Sequence, residues 1–565
     1  MSGATLLGPD GKALPLRRPR ASALINGSRT PYDAADTMSA EMSGWNPWLG
    51  SPDTETTPYR DQSVARIRDL VRNDGWASGA IMRITDATIG SDFRLSAMPD
   101  YRHLQRQFGR TFDAVWAKEF RDAAEAGWRV WANDPGRYCD TSRRLTFGQM
   151  ARLAFRHYLV EGEALAVLAW RPDRMGYGRA RYATTLQLLD PDRLSNPSQR
   201  MDTLDMRGGI ELDQDGVPIA YHIRRAHLND WFAAGQSVQW ERLPREEEWG
   251  RPVVVHHFDS ERAGQHRPVG GILTPVLARM RMLAQYDRVE LQAAMVNAIF
   301  GAYVKSPFDA TQVQAAMDDS DEGMLSNYQA QRADFHADRR LMAGDVRMPT
   351  LFPGEDIATI SANRPAAAFD MFESAMLRHL AAQLGMAYVN VSGDYRGSSY
   401  SSARQATIVE GKTVDRRRMD FGASFCTPVY VALLEEMIDR GDVPMPAGAP
   451  EFAEARFEYA RCRWMGPGRG WVDPVAEVEG ARAKISAGLS TLQQEIMESG
   501  GEDWEEVLEQ RALEEKTARA LGLDLTIEVT GGQQPQRGSE PSVEQALSPT
   551  EARIAARGLD RTAAA

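Results

Sequence analysis

The sequence predicts a multidomain α+β chain in which two helical arms flank a polar, acidic insert. Three observations carry that expectation. Residues 274–300, and again the stretch after Pro365, repeat apolar side chains at spacings of three and four, as one face of a helix does. Between 164 and 258, short apolar and β-branched runs are punctuated by Gly-bearing turns and read as strands. From Ser401 the chain turns helical again, through Arg440 and then from 474 to about 522.

The 565 residues leave room for roughly three or four domains. With 43% hydrophobic and 25% charged residues, the composition is that of an ordinary globular chain. No run approaches the ~18 to 20 apolar residues of a membrane-spanning helix, so no membrane is expected. The N-terminus carries Arg17, Arg18 and Arg20 without an apolar signal core, which points to a protein made and kept in a cytoplasm. Cys139, Cys426 and Cys462 lie far apart without C-x-x-C spacing, so neither a zinc ribbon nor a disulfide framework is expected. The net charge of −12 argues against a tight grip on duplex DNA but not against brief contact with it.

In order, residues 1–40 read as a disordered tail and the aromatics of Gly44-Trp45-Asn46-Pro47-Trp48 as a segment tacked onto a neighbouring surface. One helix is expected over 61–89, on Val64, Ile67, Leu70, Val71, Ala80, Ile81, Ile84 and Ala87. A second spans 111–132, with Phe112, Val115, Trp116, Phe120 and Ala124 facing inward. Thr146 is placed to cap a third, with Leu153 and Ala154 on its inner face. Strands follow at 164–169, 184–189, 209–212, 219–223 and 253–258, making 41–270 one α+β domain.

In the first arm, 271–300, Thr274-Pro275 supplies an N-cap and a first-turn proline. Met282, Tyr286, Val289, Ala293, Val296 and Phe300 share one face, while Leu277, Met280, Ala284, Leu291 and Met295 share another. A helix apolar on two sides needs cover on both. The insert, 301–363, holds the acidic cluster Asp318, Asp319, Asp321 and Glu322, and Leu351–Glu355 reads as a turn leaving a short strand. The return arm, 364–386, presents Phe369, Phe372, Met376 and Leu380 at the same spacing. A Gly- and Ser-rich break at 387–400 precedes the long helix, in which Pro428 predicts a kink. At 471–530, Asp473 and Asp503 are placed to cap two helices, the first carrying a stripe from Val478 to Ile496. Residues 531–565 read as a flexible tail.

Chemistry is sparse. Ala406–Thr413 matches a relaxed phosphate-loop pattern, but its flanks read as helix and its interior is β-branched, whereas that loop needs a preceding strand and a Gly-rich turn. His256 and His257 adjoin Asp259 and Glu261, yet neighbours on a strand point to opposite faces and cannot easily share one ion. No catalytic residue, cofactor or metal site is expected from the motifs.

An ordered set of short stretches resembles the lambda-type family of tailed-phage portal proteins. It comprises Arg66–Asp74 with Ile84–Leu95 after it, Leu145–Gly148 leading to Glu161–Glu163, Gly264–Pro268 leading to Leu273–Leu277, and Pro353–Glu355. Ser392–Tyr395 running into Tyr400–Arg404, Trp471–Pro474 and Leu521–Leu523 complete it. The set covers roughly residues 45–525.

The resemblance implies a portal fold: a mixed α/β wing at 41–270, a helical stem hairpin at 271–300 and 364–386, and a small α/β clip at 301–363. A tunnel loop at 387–400, a long wing helix and return at 401–470 and a helical crown at 471–530 would complete it. It implies a homododecameric ring at the capsid vertex of the virion, assembled in the host cytoplasm. Double-stranded DNA would pass through the ring during packaging and ejection, without sequence-specific reading. Terminase large subunit, head-tail adaptor proteins and the major capsid or scaffold protein would be its partners. Ser392, Asp394, Tyr395, Arg396, Ser398 and Ser399 are then expected at the DNA channel. Met282, Tyr286, Val289, Val296, Phe300, Phe369, Phe372 and Met376 are expected at stem subunit packing. Two rival readings stay open: a packaging ATPase resting on Ala406–Thr413, and a head-tail adaptor without a channel.

Overall fold

The computed structural model describes residues 32–523 apart from 38–39, 41, 92, 300–302, 306–329, 332, 336–340, 344–345, 349–355, 359–365, 397–398, 469–473 and 501–503. Residues 1–31 of the expected N-terminal tail, the C-terminal tail, the acidic cluster 318–322, the Leu351–Glu355 turn and the caps at Asp473 and Asp503 lie outside the described residues, while Asp33–Ala35, expected in the disordered tail, forms a 3-10 turn. The chain divides into two units, Met1–Val472 and Asp473–Ala565.

The first unit opens with α1 (Pro52–Asn73) and α2 (Gly75–Thr88) rather than one helix. Asp74 separates them: its backbone is extended, and its carboxylate accepts the amide of Ala77, so it caps α2 instead of continuing α1. After β1 (Arg94–Ala97) and α3 (Tyr101–Phe108) comes α4 (Ala114–Ala132), capped by Asp113. Its Trp116, Phe120 and Ala124 are buried as expected, but Val115 is exposed, lying off the face that meets the core. Then α5 (Phe147–Glu161) starts in a capping box between Thr146 and Gln149. Ala154 is buried, whereas Leu153 faces outward.

Gly162 turns α5 into β2 (Glu163–Trp170) at φ +89°, where an added Cβ would stand 2.3 Å from the carbonyl oxygen of Gly270; only glycine fits there. β2 is the centre of an antiparallel sheet, between β3 (Thr184–Leu189) and β8 (Val254–Phe258). A second antiparallel sheet runs in sequence order through β4 (Met206–Arg207), β5 (Ile210–Leu212), β6 (Pro218–Arg224) and β7 (Trp240–Pro244), with α6 (Ala234–Ser237) in its last connection. Trp45 and Trp48, expected on a neighbouring surface, are exposed in this chain.

The first arm is α7 (Leu277–Ile299), ~35 Å long at ~1.5 Å per residue. Thr274 is not its cap; it sits in a preceding 3-10 turn, and its hydroxyl donates to the carbonyl of Gly271. Among the described residues, the insert holds four short strands: β9 (Tyr303–Lys305) pairs antiparallel with β12 (Asp356–Ala358), and β10 (Leu341–Ala343) with β11 (Val346–Met348). The return arm is α8 (Ala366–Leu384). The break that follows is not all loop, since it contains α9 (Tyr388–Ser392).

The long helix consists of α10 (Tyr400–Phe421), a π-turn at Gly422–Cys426 and α11 (Thr427–Asp439). The widened turn ends just before Pro428, which has no N–H to give a helical ladder. By length and composition the run Arg404–Asp439 could span a bilayer, contrary to the sequence reading, but 61% of its apolar 18-residue stretch is buried inside the chain, as in a core helix. α12 (Arg456–Ala460) and β13 (Cys462–Met465), which pairs with β1, close the unit. Its core joins α1, α2, α4, α5, α11 and the central sheet around Phe120, Trp128, Phe147, Tyr430, Tyr459 and Trp464. The three cysteines are free thiols.

The second unit holds α13 (Pro474–Ser486), α14 (Leu492–Gly500) and α15 (Trp504–Ala520). The stripe read as one helix from Val478 to Ile496 is thus two, separated at 487–491, where Gly488 takes φ +71°.

Candidate functional site: two arms and the loop that follows them

The roots of the arms are built into the core: Met280 and Leu283 of α7 are buried, as are Leu377, Leu380, Ala381 and Leu384 of α8. Further out, Tyr286 stacks on Phe369 with ring centroids 5.6 Å apart and meets Phe372 edge-on at 5.0 Å. Nη1 of Arg279 lies 2.7 Å from Nδ1 of His379 across the same seam. Three residues expected to meet other subunits therefore meet one another, and Met376 is half-buried. Both apolar faces of α7 carry uncovered side chains: Met282 (58% exposed) and Val289 (47%) on one, Leu291 (67%) and Met295 (62%) on the other. The side chain of Val296 and all of Phe300 lie outside the described residues.

Within the loop, the described stretch Ala387–Arg396 is tightly bonded. The hydroxyl of Ser392 donates to the carbonyl of Tyr388 and accepts the amide of Asp394 at 3.1 Å. Gly393 takes φ +69°, which reverses the chain after α9. Nε and Nη2 of Arg396 each donate to one oxygen of Asp394, both at 2.9 Å. That fork pulls the Asp394 carboxyl down to about 2. Tyr395 is 64% exposed, and Arg396 is exposed as well. Ser399 is exposed and caps α10 reciprocally with Ser402; Ser398 lies outside the described residues.

The candidate chemistry resolves into structure. Ala406–Thr413 lies inside α10, so its amides belong to a helical ladder and cannot cradle a phosphate. Nε2 of His256 is 2.8 Å from the carboxylate of Glu163, while His257 points the other way, its Nδ1 2.5 Å from the hydroxyl of Ser424. Burial lowers His257 to about 4, against the opposing pull of Asp259.

Sequence reasoning missed a buried ionic cluster at the root of the first arm. Glu163, fully buried, takes Arg60 Nε at 2.9 Å, Arg267 Nε at 3.2 Å and His256. Burial pushes its carboxyl up, but Arg267, Arg60 and His256 outweigh that and hold it well below the usual range. Next to it, Arg68 joins Glu161, Asp190 and Asp192. Glu161-Gly162-Glu163 was the visible trace; partners about 100 residues away were not.

Long arms with uncovered apolar faces define a structural subunit made to meet other subunits. Residues 38–418 match the family described as phage portal protein, lambda family. The portal protein of Escherichia phage N15 is 30% identical over 528 residues, covering 92% of this chain and 94% of that protein. Portal protein B of Escherichia phage lambda is 30% identical over 527 residues, covering 92% and 93%. Among solved structures, the neck of an empty gene transfer agent particle matches with a TM-score of 0.43 and 13% identity, covering 85% of this chain and 96% of that one. The chain belongs to the lambda family of phage portal proteins. It is a virion component, one subunit of a homo-oligomeric ring at the capsid vertex, and the family is structural.

Proposed function

We propose that twelve copies close into a collar through which double-stranded DNA enters during packaging and leaves during ejection. In this reading α7 and α8 form the stem wall, 41–270 the wing toward the major capsid or scaffold protein, and 474–523 the crown. The insert 301–363 docks terminase large subunit and later the head-tail adaptors. Assembly takes place in the host cytoplasm, and the chain needs no cofactor and catalyses nothing itself.

One observation carries the reading: on a single chain α7 leaves apolar side chains uncovered on two opposite faces, Met282 and Val289 on one and Leu291 and Met295 on the other. Neighbours related by rotation cover the two faces, one on each side, so the contact repeats until the ring closes. The loop supports passage rather than grip. Arg396 already spends two donors on Asp394, so a phosphate must compete for them, and Tyr395 offers a sequence-blind surface. A net charge of −12 per copy also resists sticking of a polyanion.

Electron micrographs of purified protein test this. Wild type should form closed rings with an axial opening wider than the ~20 Å of a duplex, and the double variant Met282→Glu/Val289→Glu should fail to close. Plugged rings, or rings that tolerate both charges, refute the proposal.

A further inference from the structure

The loop's geometry extends that reading, on which the inference rests, to the residues that hold it. We infer that Glu410 and Arg83 are positioning residues: they grip the two ends of α9 from two different helices and so set where Tyr395 and Arg396 stand. Oε2 of Glu410, on α10, accepts the Ala387 amide at 3.0 Å and Nδ2 of Asn390 at 2.7 Å. That one oxygen ties the first residue of the turn to the residue three further on. At the other end, Nη1 of Arg83, on α2, donates to the carbonyls of Asn390 and Val391. These belong to the last turn of α9, where helical carbonyls have no partner within the helix.

Both supports are fixed to each other. Arg418 of α10 donates through Nε to the Thr88 carbonyl and through Nη2 to that of Ala87, each at 3.0 Å, which binds α10 to the end of α2. The buried Arg417 donates to the Leu384 carbonyl at 2.8 Å and holds the end of the return arm to the same helix. Beyond Val391 the described bonds are local ones, among Tyr388, Val389, Ser392, Gly393, Asp394 and Arg396. Tyr395 and Arg396 therefore overhang a gripped turn, and their position is inherited from Glu410 and Arg83. Tyr388 stays anchored by Arg378 over its ring, 5.2 Å away, so losing the grip frees the loop without unfolding the arms.

Because both Glu410 bonds end on one oxygen, a glutamine amide oxygen can replace it, and charge is not what the grip needs. The test compares Glu410→Ala, Glu410→Gln and Arg83→Ala in assembled rings, by amide hydrogen exchange over 387–396 and by retention of packaged DNA. Glu410→Ala and Arg83→Ala should exchange at least about tenfold faster in that segment, with the rest of the chain and ring assembly unchanged, and should retain DNA less well. Glu410→Gln should behave as wild type in both measurements. Unchanged exchange in the alanine variants overturns the grip. Faster exchange with wild-type DNA retention overturns instead the placement of Tyr395 and Arg396 beside DNA, and with it the function assigned to the grip.

Discussion

Replacing Glu163 by glutamine keeps the volume of the side chain and removes its charge from between two buried guanidinium groups. Breaking a buried ion pair from one side costs about 3–5 kcal/mol, because the remaining charge has lost its compensation. The structure places this site toward the lower end. Arg267 keeps the carbonyls of Leu194 at 2.6 Å, Gly208 at 2.9 Å and Pro191 at 3.0 Å, and Arg60 keeps Asp61 and Asp192. A loss of about 3–4 kcal/mol is expected. Spread over the unit Met1–Val472 at ~2.1 cal/mol/K per residue, that is a fall of about 3–4 °C in Tm. Calorimetry at fixed protein concentration reads it, since ring formation itself stabilises the fold. Asp61→Asn is the control: Asp61 bonds the same Arg60 but is 92% exposed, so under about 0.5 kcal/mol should be lost. If Glu163→Gln melts with wild type, or if Asp61→Asn costs as much, the cluster does not hold the root of the arm.

Two further outcomes follow from neighbouring residues. The fold keeps His257 neutral, with its pKa lowered to about 4, while the unfolded chain binds that proton near 6.5; stability is therefore full above about pH 6.5 and falls by about 3 kcal/mol as pH drops to 4. Urea unfolding across that range should show the slope, and His257→Gln should flatten it; an identical slope assigns the effect elsewhere. Gly162→Ala should cost more than about 2 kcal/mol, since a Cβ there is strained at positive φ and meets the backbone of Gly270, and a wild-type Tm for soluble variant protein would contradict the geometry.

Much of the fold was legible because it depends on local spacing. Thr146 and Gln149 announce a helix start, the run Thr184–Leu189 is a strand with the bounds its pattern gives, and both arms follow from three-and-four periodicity. The errors share one cause. Val115 and Leu153 are apolar and correctly placed on helices, yet what packs against each face decided that they stay outside. Asp74 and the 487–491 break interrupt runs whose periodicity carries on across them, so pattern alone joined the helices. For the candidate site, the loop's position and its exposed Tyr395 and Arg396 were readable, but Tyr286, Phe369 and Phe372 look the same in sequence whether they meet a partner arm or another subunit.

By itself, then, the sequence determined the helices of the two arms and the strands of the central sheet, that the arms enclose an insert, and the family to which the ordered motifs point. Only the tertiary structure decided which charges come together. Arg60, Glu163, His256 and Arg267 are scattered over some 200 residues and become one buried cluster only when α1, β2, β8 and the approach to the arm converge. The same holds for Arg83 and Glu410, more than 300 residues apart, at the two ends of one short helix. Periodicity is a property of neighbours along the chain; compensation of a buried charge is a property of neighbours in space.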